Sequence, residues 1–152
     1  MNKYRRFVSK SLLSAGVVVL ASAALATPAS AKETPSEEAL RLVNESRASA
    51  GVCPVEIDKD IQKDAKSWSS SMARSAKLSH SVLDVAGASI AAENVGRATD
   101  VASAHNLFLL SPGHRANILN PRFDSAGFGS KSSGGSVWVT YQFEGSAAVE
   151  GC

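Results

Sequence analysis

Histidine is scarce in this chain of 152 residues, so each one can be weighed for chemistry: His80, His105 and His114 are the full set. Beside them stands Glu93, set among apolar residues in Ala91-Ala92-Glu93-Asn94-Val95. A carboxylate in such a setting needs a charged or donor partner, or else its proton. His80 and His114 are its natural partners. Two imidazoles and one carboxylate would also satisfy an open zinc site, with three protein ligands and a water whose pKa the metal lowers. The same three residues would equally serve as a buried polar cluster tying loops to the core, and spacing does not decide between these. The chain has no His-Glu-x-x-His helix, no Gly-x-Ser-x-Gly elbow and no P-loop. Ser111 is better explained as a helix cap than as a nucleophile. Neither cysteine has the setting of a catalytic thiol.

The elements that must position these residues are legible in part. Thr34-Pro35-Ser36-Glu37 combines an N-cap, a proline at the first helical position and a capping-box glutamate. Leu40, Val43, Arg47 and Ala50 share one face of the helix that follows, and Gly51 ends it. Asp58 caps a second helix, whose stripe is Ile61, Ala65, Trp68 and Met72 and which runs to about Ala76, leaving His80 just past its end. Residues 81–98 have no clean period. A third helix is expected from Asp100 to Leu110, capped by Thr99, with Val101, Ala104, Leu107 and Phe108 inward. Ser111-Pro112 starts a short helix through Leu119, and Asn120-Pro121 ends it. Ala126-Gly127-Phe128-Gly129 and the run from Val137 to Phe143 then predict a hairpin turning at Gly134-Gly135. Helices followed by strands, without βαβ alternation, predict an α+β domain with helices packed on a mostly antiparallel sheet.

The ends of the chain carry a different message. Lys3, Arg5, Arg6 and Lys10 precede an apolar run from Leu12 to Leu25, and Pro28-Ala29-Ser30-Ala31 offers an Ala-x-Ala cleavage site. That run is about 14 residues, whereas crossing a bilayer takes roughly 20. Residues 1–31 are therefore expected to be a signal peptide cleaved after Ala31, and residues 32–152 a single domain exported from the cell, with no membrane span. The whole chain has 16 basic and 14 acidic residues, a net charge of +2. Removing residues 1–31 takes four basic residues and no acid, leaving a net charge of −2. A domain this close to neutral, without a basic cluster, gives no electrostatic case for nucleic acid. Cys53 and Cys152 form an even pair that, outside the cytoplasm, reads most simply as a disulfide. In the chain-entropy account a loop of about 100 residues closed in this way stabilises by up to ~4.7 kcal/mol. A reactive thiol or an intermolecular bridge are the alternatives.

Several of these pieces carry a resemblance. Leu42-Val43-Asn44-Glu45-Ser46-Arg47, Leu78-Ser79-His80-Ser81, Glu93-Asn94-Val95, the stretch from Ser111 to Leu119 and Thr140-Tyr141-Gln142-Phe143 occur in the order found in the CAP superfamily. From about residue 36 to 145 the chain resembles these SCP-like extracellular domains in their bacterial form. The resemblance implies an α–β–α sandwich with a central cleft. In many eukaryotic members that cleft holds two histidines and two acidic residues and binds a divalent metal. By position His80 matches the first histidine and Glu93 the glutamate. The strand carries no second histidine, and His114 belongs to the bacterial Gly-His-Arg motif. The second acid has no clear counterpart, since Asp100 is the single acid between Glu93 and His114, and Phe108 stands where bacterial relatives commonly have tryptophan. Asn94, Ser111, Arg115 and Gln142, from the same motifs, are expected to support the cleft.

The resemblance implies binding of sterols, lipids, partner proteins or metals, with enzymatic activity not a general property. The first expectation is a secreted, monomeric, non-enzymatic binding domain. It would take a small or lipidic ligand, or a protein partner, in a cleft lined by His80, Glu93 and His114. The second is a zinc-dependent hydrolase of the cell envelope, with those three residues on the metal. The third is a structural or interaction protein in which the cluster merely ties the Gly-His-Arg turn to the core.

Overall fold

Among the described residues four helices and four strands alternate irregularly: α1 (Pro35–Ser49), β1 (Glu56–Ile57), α2 (Lys59–Ser75), β2 (Ile90–Ala98), α3 (Val101–Leu110), α4 (Pro112–Ile118), β3 (Ser125–Ser133) and β4 (Ser136–Gly145). The computed structural model describes residues 32–83 and 87–145. The expected signal peptide (1–31) and the expected disulfide partner Cys152 lie outside the described residues. No helix among the described residues is long and apolar enough to cross a membrane.

The strands form one sheet in the order β1-β3-β4-β2. β4 pairs antiparallel with both β2 and β3, and the two-residue β1 runs parallel to β3. The expected turn is present, with Gly134 and Gly135 both at positive φ, which suits a two-residue hairpin loop. Successive β4 side chains point to opposite faces. Val137, Val139, Tyr141 and Phe143 meet α1, α3 and α4 in the main core, together with Val43, Phe108, Phe123 and Phe128. Full burial stabilises each of the large apolar members by about 1.5–3 kcal/mol. On the other face Trp138 packs with Met72 and Ala73 of α2 and with Val95, and Ser69 donates to Thr140 at 2.8 Å. The result is an α–β–α sandwich, α+β in class. The glycines of β3 let α2 sit directly on the sheet: a Cβ on Gly129 would fall 2.0 Å from the Ala65 carbonyl oxygen.

Local signals built the helix starts. Thr34 and Glu37 form the reciprocal capping box, and Asp58 Oδ1 accepts from Asp60 and Ile61. Arg47, placed on the apolar face of α1, is fully buried. It donates to the carbonyls of Cys53, Ile118 (2.9 Å), Asn120 (2.9 Å) and Phe123 (2.7 Å), so one side chain fastens α1 to the chain around α4. No carboxylate pairs with it among the described residues, and burial pulls its pKa down. The outer edge of β3 is closed by side chains. Beyond β1, the Phe128 N–H donates to Gln62 at 2.7 Å and its carbonyl accepts from Ser36 at 2.9 Å.

One segment without a sequence assignment is a strand, and three expectations are corrected. Residues 90–98, without a clean period, are the strand β2; its Ala, Gly, Glu and Asn content gives little local strand preference, and pairing with β4 decides it. The cap of α3 is Asp100, whose carboxylate accepts from the Ser103 N–H at 2.7 Å, while Thr99 bonds side chains beside it. Leu107 is 55% exposed, and His105 takes an inward place beside Ala104 and Phe108. At α4, Ser111 occupies the cap position but makes no side-chain cap hydrogen bond.

Candidate functional site

α2 stops at Ala76, which adopts φ +52° in the left-handed region. This turn sends residues 77–83 back along the helix. The segment is held twice: the Trp68 indole N–H donates to the Ser79 carbonyl at 2.8 Å, and Ser81 is fastened to Glu93. Glu93 comes from β2 and lies directly across from Gln142 of β4.

Four donors converge on the Glu93 carboxylate, whose side chain is 3% exposed. Oε1 accepts from His80 Nδ1 and from the Ser81 N–H, both at 2.9 Å. Oε2 accepts from the Ser81 hydroxyl at 2.6 Å and from Gln142 Nε2 at 3.0 Å. Gln142 Nε2 also reaches the Ser81 hydroxyl at 3.1 Å. Four acceptor directions are filled by four donors, which is how a buried carboxylate is stabilised. Since a carboxylate oxygen accepts, Nδ1 of His80 carries a proton, and Nε2 is a lone pair only when the ring is neutral. The His80 side chain is 61% exposed. A buried network thus fixes the tautomer and direction of an exposed imidazole.

A cleft of about 840 Å³ opens beside it, bounded by α2, residues 80–83 and the end of β4, where Trp68, His80, Ser81 and Gln142 are part of its lining. His114 is not. It sits in the first turn of α4, its ring edge against Phe108 with centroids 5.0 Å apart. Burial, and then the charge of His80, lower its pKa. No side-chain hydrogen bond joins it to Glu93 or His80 among the described residues. Asn94, fully buried, holds this turn: its Nδ2 donates to the His114 carbonyl at 3.0 Å, and its Oδ1 accepts from Asn117 at 2.8 Å. Arg115 is exposed on α4. The structure therefore brings together His80, Glu93 and Gln142, ties Asn94 to the His114 turn, and leaves Ser111 and Arg115 outside the network.

The donor set does not fit an open three-ligand zinc site. Glu93 has all four acceptor directions occupied by protein donors, and no group of three His, Cys, Asp or Glu side chains converges on a metal position among the described residues. Sequence reasoning missed Ser81, although it adjoins His80. It also missed Asn117, and the cleft faces of Trp68, Asp60 and Asp64, because α2 alone does not say which of its polar residues meet the 80–83 segment.

The sequence model of the CAP family, the cysteine-rich secretory protein family, matches residues 40–143. No curated protein matches the chain. Among solved structures the fold is similar to an extracellular protein containing an SCP domain from Bacillus anthracis, at 23% identity and a TM-score of 0.64; the match covers 72% of this chain and 40% of that one. It is similar to an outer surface protein of Borrelia burgdorferi, at 17% identity and a TM-score of 0.61, covering 73% of this chain and 94% of that one. It is also similar to a venom allergen-like protein of Schistosoma mansoni, at 9% identity and a TM-score of 0.61, covering 78% and 95%. The chain thus spans well under half the length of the Bacillus protein.

Proposed function

This chain belongs to the CAP family, and from that premise we propose that it is an exported, non-enzymatic binding domain that takes its ligand in the cleft faced by His80. The observation that carries the reading is the expense of the Glu93 network. Four hydrogen bonds are spent on a carboxylate that touches little solvent, and the one exposed group they orient is an imidazole at the mouth of an 840 Å³ cleft. A cluster that only tied loops to the core would have no need to end on an exposed ring.

Binding is favoured over hydrolysis by the same geometry. The Ser81 hydroxyl donates to Glu93, so it is not activated by His80 as a nucleophile would be. The absence of a converging metal set among the described residues removes support for a zinc-held water. Export through residues 1–31, cleavage after Ala31 and a monomeric state belong to the same proposal, as does a bond between Cys53 and Cys152.

Isotope-labelled protein titrated with a fragment library of neutral, cationic and anionic compounds tests the cleft. Amide shifts should gather on Asp60–Trp68 and Ser79–Leu83, and His80→Ala should remove them while the fold stays intact. Hits that avoid these segments, or hits that ignore His80→Ala, would overturn the assignment.

A further inference from the structure

The hydrogen-bonding polarity of the cleft identifies the chemistry of its ligand, an inference that rests on the cleft being the binding site. Most neutral side-chain donors of its lining are already consumed. The Trp68 N–H goes to Ser79, His80 Nδ1–H to Glu93, the Ser81 hydroxyl to Glu93, and the Gln142 amide nitrogen to Glu93 and Ser81. What these residues leave for a ligand is acceptors: the Gln142 carbonyl and, in the neutral ring, the His80 Nε2 lone pair.

The charged lining has the same polarity. Among the described residues, Asp58, Asp60, Asp64 and Glu144 border the cleft against one cation, Lys63. Asp60 and Asp64 are four residues apart on α2 and therefore neighbours on one helix face. Neither carboxylate makes a hydrogen bond or ion pair among the described residues. Beside them lie the Trp68 ring, and Val82, whose side chain stands 99% exposed at the rim. A site built of acceptors and negative charge, with apolar surface alongside, fits a ligand that brings donors, positive charge and a hydrocarbon stem.

We propose that the cleft binds an alkyl ammonium or guanidinium group, with the cationic head at Asp60 and Asp64, a head N–H donated to His80 Nε2, and the stem along Trp68 and Val82. The group could be supplied by a free amine or by a lysine or arginine side chain of a peptide, which share this chemistry.

The test titrates the purified protein at pH 7 and low salt with agmatine, with acetyl-Gly-Lys-Gly-Lys-Gly-amide and with glutarate, read by amide shifts. Both cations should shift the cleft amides, binding should fall as salt is raised, and glutarate should shift nothing there. The double variant Asp60→Asn/Asp64→Asn should weaken cation binding at least tenfold. Glu33→Gln/Glu45→Gln, an equal charge change on α1, should leave it unchanged. A peptide bound tenfold or more tightly than agmatine assigns the group to a peptide, and equal affinities assign it to the head group alone. Failure of both cations to shift the cleft overturns the proposal. So does equal weakening by the α1 control, or glutarate binding as tightly. If neutral fragments still bind the cleft in a His80-dependent way, only the cationic assignment falls. If no probe of any charge reaches it, the cleft reading falls as well.

Discussion

Acidification should loosen this fold through His105, a residue outside the cleft. Its ring is 2% exposed between α1 and α3. Nε2 lies 2.9 Å from the Ser46 hydroxyl, which also donates to the Leu42 carbonyl. Nδ1 has no partner among the described residues. A proton added there would place an unpaired N–H and a charge in the packed interface, and burial accordingly lowers the pKa from 6.5 to about 4, against a small opposing pull from Glu45. In the unfolded chain the ring titrates near 6.5, so between pH 6.5 and 4 the unfolded state binds the extra proton and stability rises with pH. The penalty is absent at neutral pH, reaches about 2 kcal/mol at pH 5 and about 3 kcal/mol at pH 4, and levels off below. Helix caps such as Glu37 and Asp100, whose pKa values are lowered by hydrogen bonds, also lose stability in acid. A difference measurement removes them. His105→Gln keeps an amide donor for Ser46 and does not titrate. Urea unfolding of both proteins at pH 7, 5 and 4 should show the wild type losing about 3 kcal/mol more than the variant over the full range. Parallel stability curves for the two proteins would refute the reasoning.

Three further outcomes follow from other contacts. Arg47→Met takes the side-chain donor from four carbonyls, of which Asn120 keeps the Phe123 N–H; at about 1–3 kcal/mol for each of the three groups left unsatisfied, a loss of at least about 3 kcal/mol is expected in chemical denaturation, and Arg47→Lys should recover only part, because one ammonium cannot reproduce the planar fork. Ala76→Gly relieves a left-handed residue and should raise stability by about 1 kcal/mol, a melting temperature higher by a few degrees, and an unchanged or lower melting temperature would contradict this. The exported protein should begin at Lys32 and weigh two hydrogens less than its reduced form, and Cys53→Ser should cost about 2–4 kcal/mol; two titratable thiols in the native protein would exclude the bond.

What the sequence made legible was local. The capping box at Thr34 and Glu37, the Asp58 cap, the α2 stripe and the β-branched and aromatic run of β4 each act through neighbours within a few residues, and each stands where it was expected. Arg47 was placed on the apolar face by period alone. The strand β2 was not legible, because its small and polar residues acquire their conformation from the register with β4. The same register explains the site. Glu93 was seen to need a partner and His80 was named, but Gln142 joins it only because positions 93 and 142 face each other across two strands. His114 was named from the same need, and α4 instead turns its ring to Phe108.

The closure of β3 at Phe128 bears on how much of this protein can coexist in one place. A free strand edge is an invitation to any extended segment of another chain. Here an incoming strand would have to displace the Gln62 amide oxygen and the Ser36 hydroxyl. Lys131, exposed further along the strand, adds a charge that a second copy would have to bury or repel. The sheet is thus self-terminating on this side, so crowding should raise its concentration without seeding cross-strand fibres from that edge.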